Sequence, residues 1–85
     1  IVSRTLYKDG DARVILFAFS AGEKMSEHTS SFPAILNFLE GEASLTLGET
    51  AMEAQAGTWV HMTANLPHSV EAHTEVRMLL TMLTN

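Results

Sequence analysis

The sequence has no cysteine, and that absence alone removes disulfide scaffolds, thiolate zinc knuckles, thiol nucleophiles and CxxC redox chemistry. A cysteine-free chain fits a reducing compartment, and the cytoplasm is the expected location. Basic residues are scarce as well: five against ten acids give a formal charge of −5. No basic stripe is there to follow a phosphate backbone or an anionic lipid surface, so neither nucleic acid nor membrane is an expected partner. Long hydrophobic runs are missing too. The longest nearly apolar stretch, Val14–Phe19, falls far short of the roughly 20 residues a membrane-spanning helix needs. The chain opens in a strand-like stretch with no charged-then-apolar leader, so no targeting peptide is expected in it, and without an initiator Met it reads as trimmed at its start.

What remains is 85 residues, enough for a single domain over 1–85 with a thin core. With 46% apolar and 18% charged residues the chain has the composition of a folded protein rather than a disordered one. Glycines at 10, 22, 41, 48 and 57 each sit in a turn-like context and divide the sequence into short runs: Val2–Lys8, Arg13–Phe19, Ala34–Leu39, Ala43–Leu47, Met52–Gln55, Thr58–Met62, His68–Ala72 and Val76–Leu83. Turns every 8–12 residues or so with no long linker predict an all-β sandwich or barrel. Leu45 and Leu47 alternate with Ser44 and Thr46, a period of two. Val14–Phe19, Ile35–Leu39 and Met78–Leu83 are apolar on both faces, as strands covered on both sides are. Thr50–Ala56 has helix-favouring residues, but it is short and lies between Gly48 and Gly57, so a strand is expected. Pro33 cannot donate to a strand ladder, which makes 29–33 a loop. Val2–Lys8 and Val76–Leu83 are the candidate edge strands, and pairing of such an edge with a second copy makes a homodimer the expected assembly.

Four histidines, His28, His61, His68 and His73, are the residues most able to hold a metal. His28 follows Gly22 by six, and His68 follows Gly57 by eleven after a Pro-containing turn. At these spacings the sequence resembles the cupin superfamily, whose first motif runs Gly, five residues, His-x-His, three or four residues, Glu, six residues, Gly. Here it reads Gly22-Glu-Lys-Met-Ser-Glu-His28-Thr-Ser30-Ser-Phe-Pro-Ala34-Ile-Leu-Asn-Phe-Leu-Glu40-Gly41. The second motif, Gly, five residues, Pro-x-Gly, two residues, His, three residues, Asn, reads Gly57-Thr-Trp-Val-His61-Met-Thr63-Ala-Asn65-Leu-Pro-His68-Ser-Val-Glu-Ala72. The resemblance covers residues 13–83 and implies a small antiparallel β-barrel, the jelly roll or double-stranded β-helix.

The resemblance also implies a metal ion inside the barrel, and here the match is partial. His28 and His68 stand at ligand positions, while Ser30 and Ala34 replace the second His and the Glu of the first motif, and Thr63, Asn65 and Ala72 replace the Pro, Gly and Asn of the second. Two imidazoles leave a divalent ion (zinc, iron, manganese or nickel) short of the three protein ligands usual in catalytic zinc sites. His61 makes up the number if it faces inward with Trp59, and faces out if Val60 and Met62 fill the barrel; alternation alone does not choose. His73, in the Glu71–Glu75 turn, is expected to be solvated. Ser30 and Ser31 beside His28 lack an orienting acid, which argues against a nucleophilic pair. Met25, Met52, Met62, Met78 and Met82 are expected as core fillers, and Trp59 and Phe32 as packing residues.

Two functions follow. In the first, His28 and His68, with or without His61, hold a divalent ion that acts on or presents a small metabolite. In the second, the barrel binds or senses a small ligand without metal or catalysis, in a pocket of Ser30, Ala34, Leu36, Phe38 and Val70 that loss of the bulky ligating side chains opens.

Overall fold

A computed structural model describes residues 1–85 as nine β-strands and no helix. The strands are β1 (Val2–Lys8), β2 (Ala12–Phe19), β3 (Lys24–His28), β4 (Ala34–Glu40), β5 (Glu42–Leu47), β6 (Thr50–Gln55), β7 (Trp59–Met62), β8 (His68–Ala72) and β9 (Val76–Leu83). They form two antiparallel sheets, one in the order β1-β2-β9-β4-β7 and the other β3-β8-β5-β6. From β2 to β5 the chain changes sheet at every connection, as in a double-stranded β-helix.

Most boundaries follow from the glycine punctuation and the side-chain alternation. Thr50–Gln55 is a strand despite its helix-favouring residues, because Met52 and Ala54 turn toward the core while Ala51, Glu53 and Gln55 face water. β3 has no counterpart among the predicted runs. It is a polar edge strand with Met25 as its only side chain that is not exposed, so no apolar alternation marks it. Val76–Leu83 is not an edge: it lies between β2 and β4, which explains its apolar residues on both faces. The free edges of the five-stranded sheet are β1 and β7, and β1 is exposed along its whole length.

The interior is filled. Phe38, Leu36, Leu45, Met78, Val70 and Val76 are the largest fully buried side chains, and Met62 joins them at 2% exposure. Met25, Met52 and Met82 pack against this cluster from the sides, so all five methionines serve as fillers. At the β1–β2 hairpin the Asp9 carboxylate accepts the N–H of Asp11 and Ala12 (2.8 and 2.9 Å) and the Tyr7 hydroxyl. The Tyr7 hydrogen bond, followed by the two backbone N–H groups, holds the Asp9 carboxyl below the usual carboxylate range.

Gly41 is the hinge between sheets. Only one residue separates β4 in one sheet from β5 in the other, and that residue has φ +91° with the Glu75 carbonyl oxygen 2.0 Å from where a Cβ would stand. A side chain here would force a strained dihedral and displace backbone at the same time. Gly41→Ala is therefore expected to destabilise the fold by about 3 kcal/mol, and Gly22→Ala, whose φ is also positive but whose surroundings are open, by about 1 kcal/mol. Urea unfolding of the two variants measures the difference; equal losses would show that the close approach to Glu75 carries no weight.

Candidate functional site

The site starts from a turn. Residues 63–67 join β7 to β8, and Asn65 takes a positive φ of 65° there. Asparagine is among the non-glycine residues that best tolerate this region, so it can stand at a motif position where glycine is usual. The Asn65 N–H donates to the Ser30 carbonyl (2.7 Å) and the Gly48 N–H to the Pro67 carbonyl (2.7 Å), which ties the turn to the loops on either side. β8 leaves the turn with His68, Val70 and Ala72 buried and Ser69 and Glu71 on the other face, so His68 points into the barrel at its end.

His28 reaches the same place through a bulge. Met25 pairs with Val70 and His28 with His68, three residues of β3 against two of β8. Without the extra residue Glu27 would stand opposite His68, and His28, one step on, would turn away. The His28 Nδ1–H donates to the Ser26 carbonyl at 2.7 Å inside the bulge and fixes the ring. The two rings meet edge to face, centroids 4.2 Å apart and planes at 60°. His68 is buried and His28 exposed, so the pair sits at the barrel mouth with one side open to water.

Both rings are in the tautomer that suits an Nε2 ligand. His68 Nδ1–H donates to the Leu66 carbonyl at 2.8 Å, as His28 does to Ser26. A carbonyl only accepts, so in each neutral ring the proton is on Nδ1 and the Nε2 lone pair is free. No third side chain completes the set: the structure contains no group of three or more His, Cys, Asp or Glu able to hold a metal. For His61 the structure chooses between the two orientations that alternation left open, and it removes the residue from the metal set. His61 pairs with Ile35 on β4 while its neighbours Val60 and Met62 pair with inward Leu36 and Ala34, so His61 and Trp59 lie exposed on the outer face.

The remaining sequence candidates separate in the same way. Leu36, Phe38, Val70 and Ala34 are at most 2% exposed and pack as core, so they fill the barrel instead of lining a pocket. Small residues at 30 and 34 have been offset by the closeness of Met82, whose sulfur lies 4.0 Å from the Ser30 hydroxyl. The Ser30 hydroxyl also accepts the Phe32 N–H at 3.2 Å and serves the loop rather than His28. His73 is not simply solvated: its Nε2 lies 2.7 Å from the Ser44 hydroxyl and 3.3 Å from Glu53. Three surface clefts of about 410, 400 and 280 Å³ exist, and neither His28 nor His68 lines any of them.

One inward-facing charged residue was not singled out in the sequence. Arg13 alternates with Ile15, Phe17 and Phe19, all on the face of β2 that packs toward the core, and Phe19 is 3% exposed. An arginine in phase with core residues is the signal that could have marked it. It lines the 280 Å³ cleft at the barrel mouth with Lys8, Phe32 and Met82.

No protein-family model matches the chain, and no curated protein matches it. Among solved structures it is similar to a conserved Streptococcus pyogenes protein of unknown function, with 27% identity, a TM-score of 0.89, and coverage of 99% of this chain and 74% of that one. It is also similar to a cupin superfamily protein from Desulfitobacterium hafniense, with 23% identity, a TM-score of 0.92, and coverage of 99% and 77%. A cupin 2 conserved barrel domain protein from Leptotrichia buccalis shares 26% identity at a TM-score of 0.88, with coverage of 96% of this chain and 40% of that one.

The tautomers can be read directly. Long-range 1H–15N spectra at pH 8 are expected to show Nδ1–H imidazoles for His28 and His68. Nε2–H in either ring would mean that its lone pair is not available at the mouth.

Proposed function

We propose that this chain, a cupin by fold, is a small-molecule-binding barrel whose recognition site is the His28–His68 pair, and that the pair takes a divalent metal ion with most of its coordination positions left to water or ligand. The observation that carries the reading is the twin anchoring of Nδ1–H on the Ser26 and Leu66 carbonyls, which leaves the Nε2 lone pair free on both of two rings whose centroids are 4.2 Å apart. Second-shell bonds of this kind orient imidazoles and raise their basicity as ligands. With metal–nitrogen bonds of about 2.0–2.1 Å, two imidazoles on one ion have ring centres about 5 Å apart, so the observed 4.2 Å asks for an opening of less than about 1 Å. Donor chemistry therefore fits the imidazole share of a metal shell and supplies no charge compensation. An ion held there would polarise a ligand oxygen as a Lewis acid.

The chain's own residues do the rest. His68 is the buried, fixed member and His28 the exposed one; the bulge at Ser26–Glu27 sets their spacing, and the 29–33 loop borders the ligand's approach. The packed interior keeps the ligand at the rim, since Leu36, Phe38 and Val70 leave no deep cavity. A metal-free reading is favoured by the missing carboxylate: two neutral Nε2 acceptors can receive hydrogen bonds from a ligand directly.

Isothermal titration with metal salts tests the first reading. Copper(II) is expected to bind most tightly, nickel and zinc less so, and manganese least. His28→Ala and His68→Ala should each lower copper affinity by at least about tenfold, and His61→Ala should leave it unchanged. No binding to the native protein, or equal loss with His61→Ala, would discard the metal site in favour of the metal-free one.

The same proposal assigns a second copy of the chain to the outer face of the five-stranded sheet. Val14, Leu16, Leu79 and Ile35 form its middle and Trp59, 59% exposed, its margin. The carboxylates of Glu42, Glu53 and Glu71 are on the other sheet, and Glu40, at the rim of this face, is paired with Arg77 at 3.5 Å. Five strands about 4.8 Å apart and about 23 Å long give a footprint of about 550 Å², which side-chain relief raises toward the roughly 800 Å² per partner of a stable complex. Light scattering on the eluting protein should give twice the chain mass, and Leu16→Glu should give a monomer. A native monomer at 100 μM-scale loading, about the working range of such an assay, would remove the second copy.

A further inference from the structure

We infer that the cleft at the same end of the barrel as the histidine pair is an anion-recognition site, in which Arg13 and Lys8 hold the carboxylate of a small acid whose apolar body lies against Phe32 and Met82. Placing that acid within reach of the histidines rests on the reading of the pair as a recognition site; its capture by Arg13 does not.

Arg13 carries an unpaired charge. The chain has five basic residues and ten acids, so a counter-charge is easy to find. Arg77 has one in Glu40. Arg13 makes no ion pair and no side-chain hydrogen bond, although it is half-buried on the core-facing side of β2. Its stem is covered by the strand while the side chain lines an open cleft, so an unpaired guanidinium is available there to an anion. Lys8, cross-strand from Arg13, is also without a partner and lines the same cleft.

A second observation points the same way. Thr84 lines the cleft too, and its hydroxyl is the one buried side-chain polar atom in the protein without a hydrogen-bond partner. Its backbone N–H is bonded to the Asp11 carbonyl at 3.0 Å, so the residue is fixed beside the hairpin. Asp9 is the only acid on the cleft wall, and its carboxylate is occupied by its own turn. The wall therefore carries one net positive charge, which suits a monoanion better than a dianion.

Size and direction select the rest of the ligand. A cleft of about 280 Å³ holds a small molecule rather than a peptide. Along the inner rim of the five-stranded sheet Lys8 pairs with Arg13, Arg13 with Met82, and Met82 with Ala34. Across the mouth His28 pairs with His68 and His68 with Leu47. The 29–33 loop joins the two rims, with Ser30 against Met82 and Phe32 exposed over the cleft. A carboxylate on Arg13 thus places an aromatic or aliphatic body against Phe32 and Met82, at the barrel end that also carries the imidazoles.

Benzoate, benzamide and inorganic phosphate serve as probes in 15N-detected NMR titrations of the whole chain, with EDTA present so that metal plays no part. Benzoate is expected to shift the amide signals of Lys8–Arg13 and of Phe32, while its neutral counterpart benzamide leaves them in place. Arg13→Gln should weaken benzoate at least tenfold and Arg13→Lys by less, while His61→Ala, on the outer face of the sheet, should leave it unchanged. Shifts by benzamide equal to those by benzoate, or unchanged affinity in Arg13→Gln, would overturn the proposal, and tighter binding of phosphate would overturn the choice of a monocarboxylate. Should Arg13→Gln fail to fold, the native protein still decides, since benzoate that moves no Arg13 side-chain Nε signal is not bound there. Because metal is absent throughout, loss of the metal site leaves these outcomes untouched.

Discussion

The barrel depends on backbone hydrogen bonds made between loops, because a chain that changes sheet at nearly every connection leaves its crossings without strand partners. At one end Gly22 N–H donates to the Ala72 carbonyl (2.8 Å), Ala72 N–H to Glu23 (2.9 Å), Gly57 N–H to Phe38 (2.8 Å) and Phe38 N–H to Thr58 (2.9 Å). At the other, Asn65 N–H reaches Ser30 and Gly48 N–H reaches Pro67. Each such bond contributes about 1 kcal/mol net, but leaving a buried group unpaired costs about 1–3 kcal/mol. A buried crossing that fails to close therefore costs at least as much as one ladder bond contributes. The same bonds fix the position of His68: its turn is held from Ser30 on one side and Gly48 on the other before its side chain makes any contact.

A thin core explains why the chemistry sits at the rim. In a barrel of 85 residues, Phe38, Leu36, Leu45, Met78, Val70 and Val76 use up the interior. Residues that in a larger cup would face a cavity here touch one another. Polar chemistry survives only where the two sheets end, and there the groups are divided between them: imidazoles on β3 and β8, cations on β1 and β2. Glu42, Glu53 and Glu71 face outward from the four-stranded sheet, and Asp9, the one acid lining the cleft, is already bonded.

The fold was legible because β-structure writes itself twice, in turns and in alternation. Leu45 and Leu47 against Ser44 and Thr46 gave β5, and the short span between Gly48 and Gly57 marked β6 as a strand against its helix propensity. It failed where one signal was missing. β3 carries a single core contact, Met25, so nothing apolar alternates; Val76–Leu83 is apolar on both faces, a pattern shared by an exposed edge and a covered centre, and only pairing partners tell them apart. For the site, His28 and His68 were found through spacing to glycine. The bulge that aligns them is invisible in sequence, because nothing in Ser26–Glu27 distinguishes an extra residue from a regular one. His61 stayed undecided because Trp59 and Val60 are both apolar, and packing rather than composition chose Val60 for the inside. Arg13 was overlooked for the opposite reason: the alternation did mark it, but a charged residue at the start of a strand reads as solvated.

Dividing the mouth between sheets has a mechanical consequence. The two rims are joined by the 29–33 and 63–67 loops, and the contact between those loops is one backbone bond, Asn65 N–H to Ser30. A ligand that touches both rims adds a second link in parallel, and any molecule that binds only the assembled barrel stabilises it by mass action. Conversely, a change that loosens the Ser30–Asn65 contact lets the rims separate, lowering affinity without removing any group that meets the ligand. Ser30 is therefore best understood through its neighbours. Its carbonyl holds the β7–β8 turn, its hydroxyl orders Phe32, and its side chain rests on Met82, so Ser30 is a joint between the two rims.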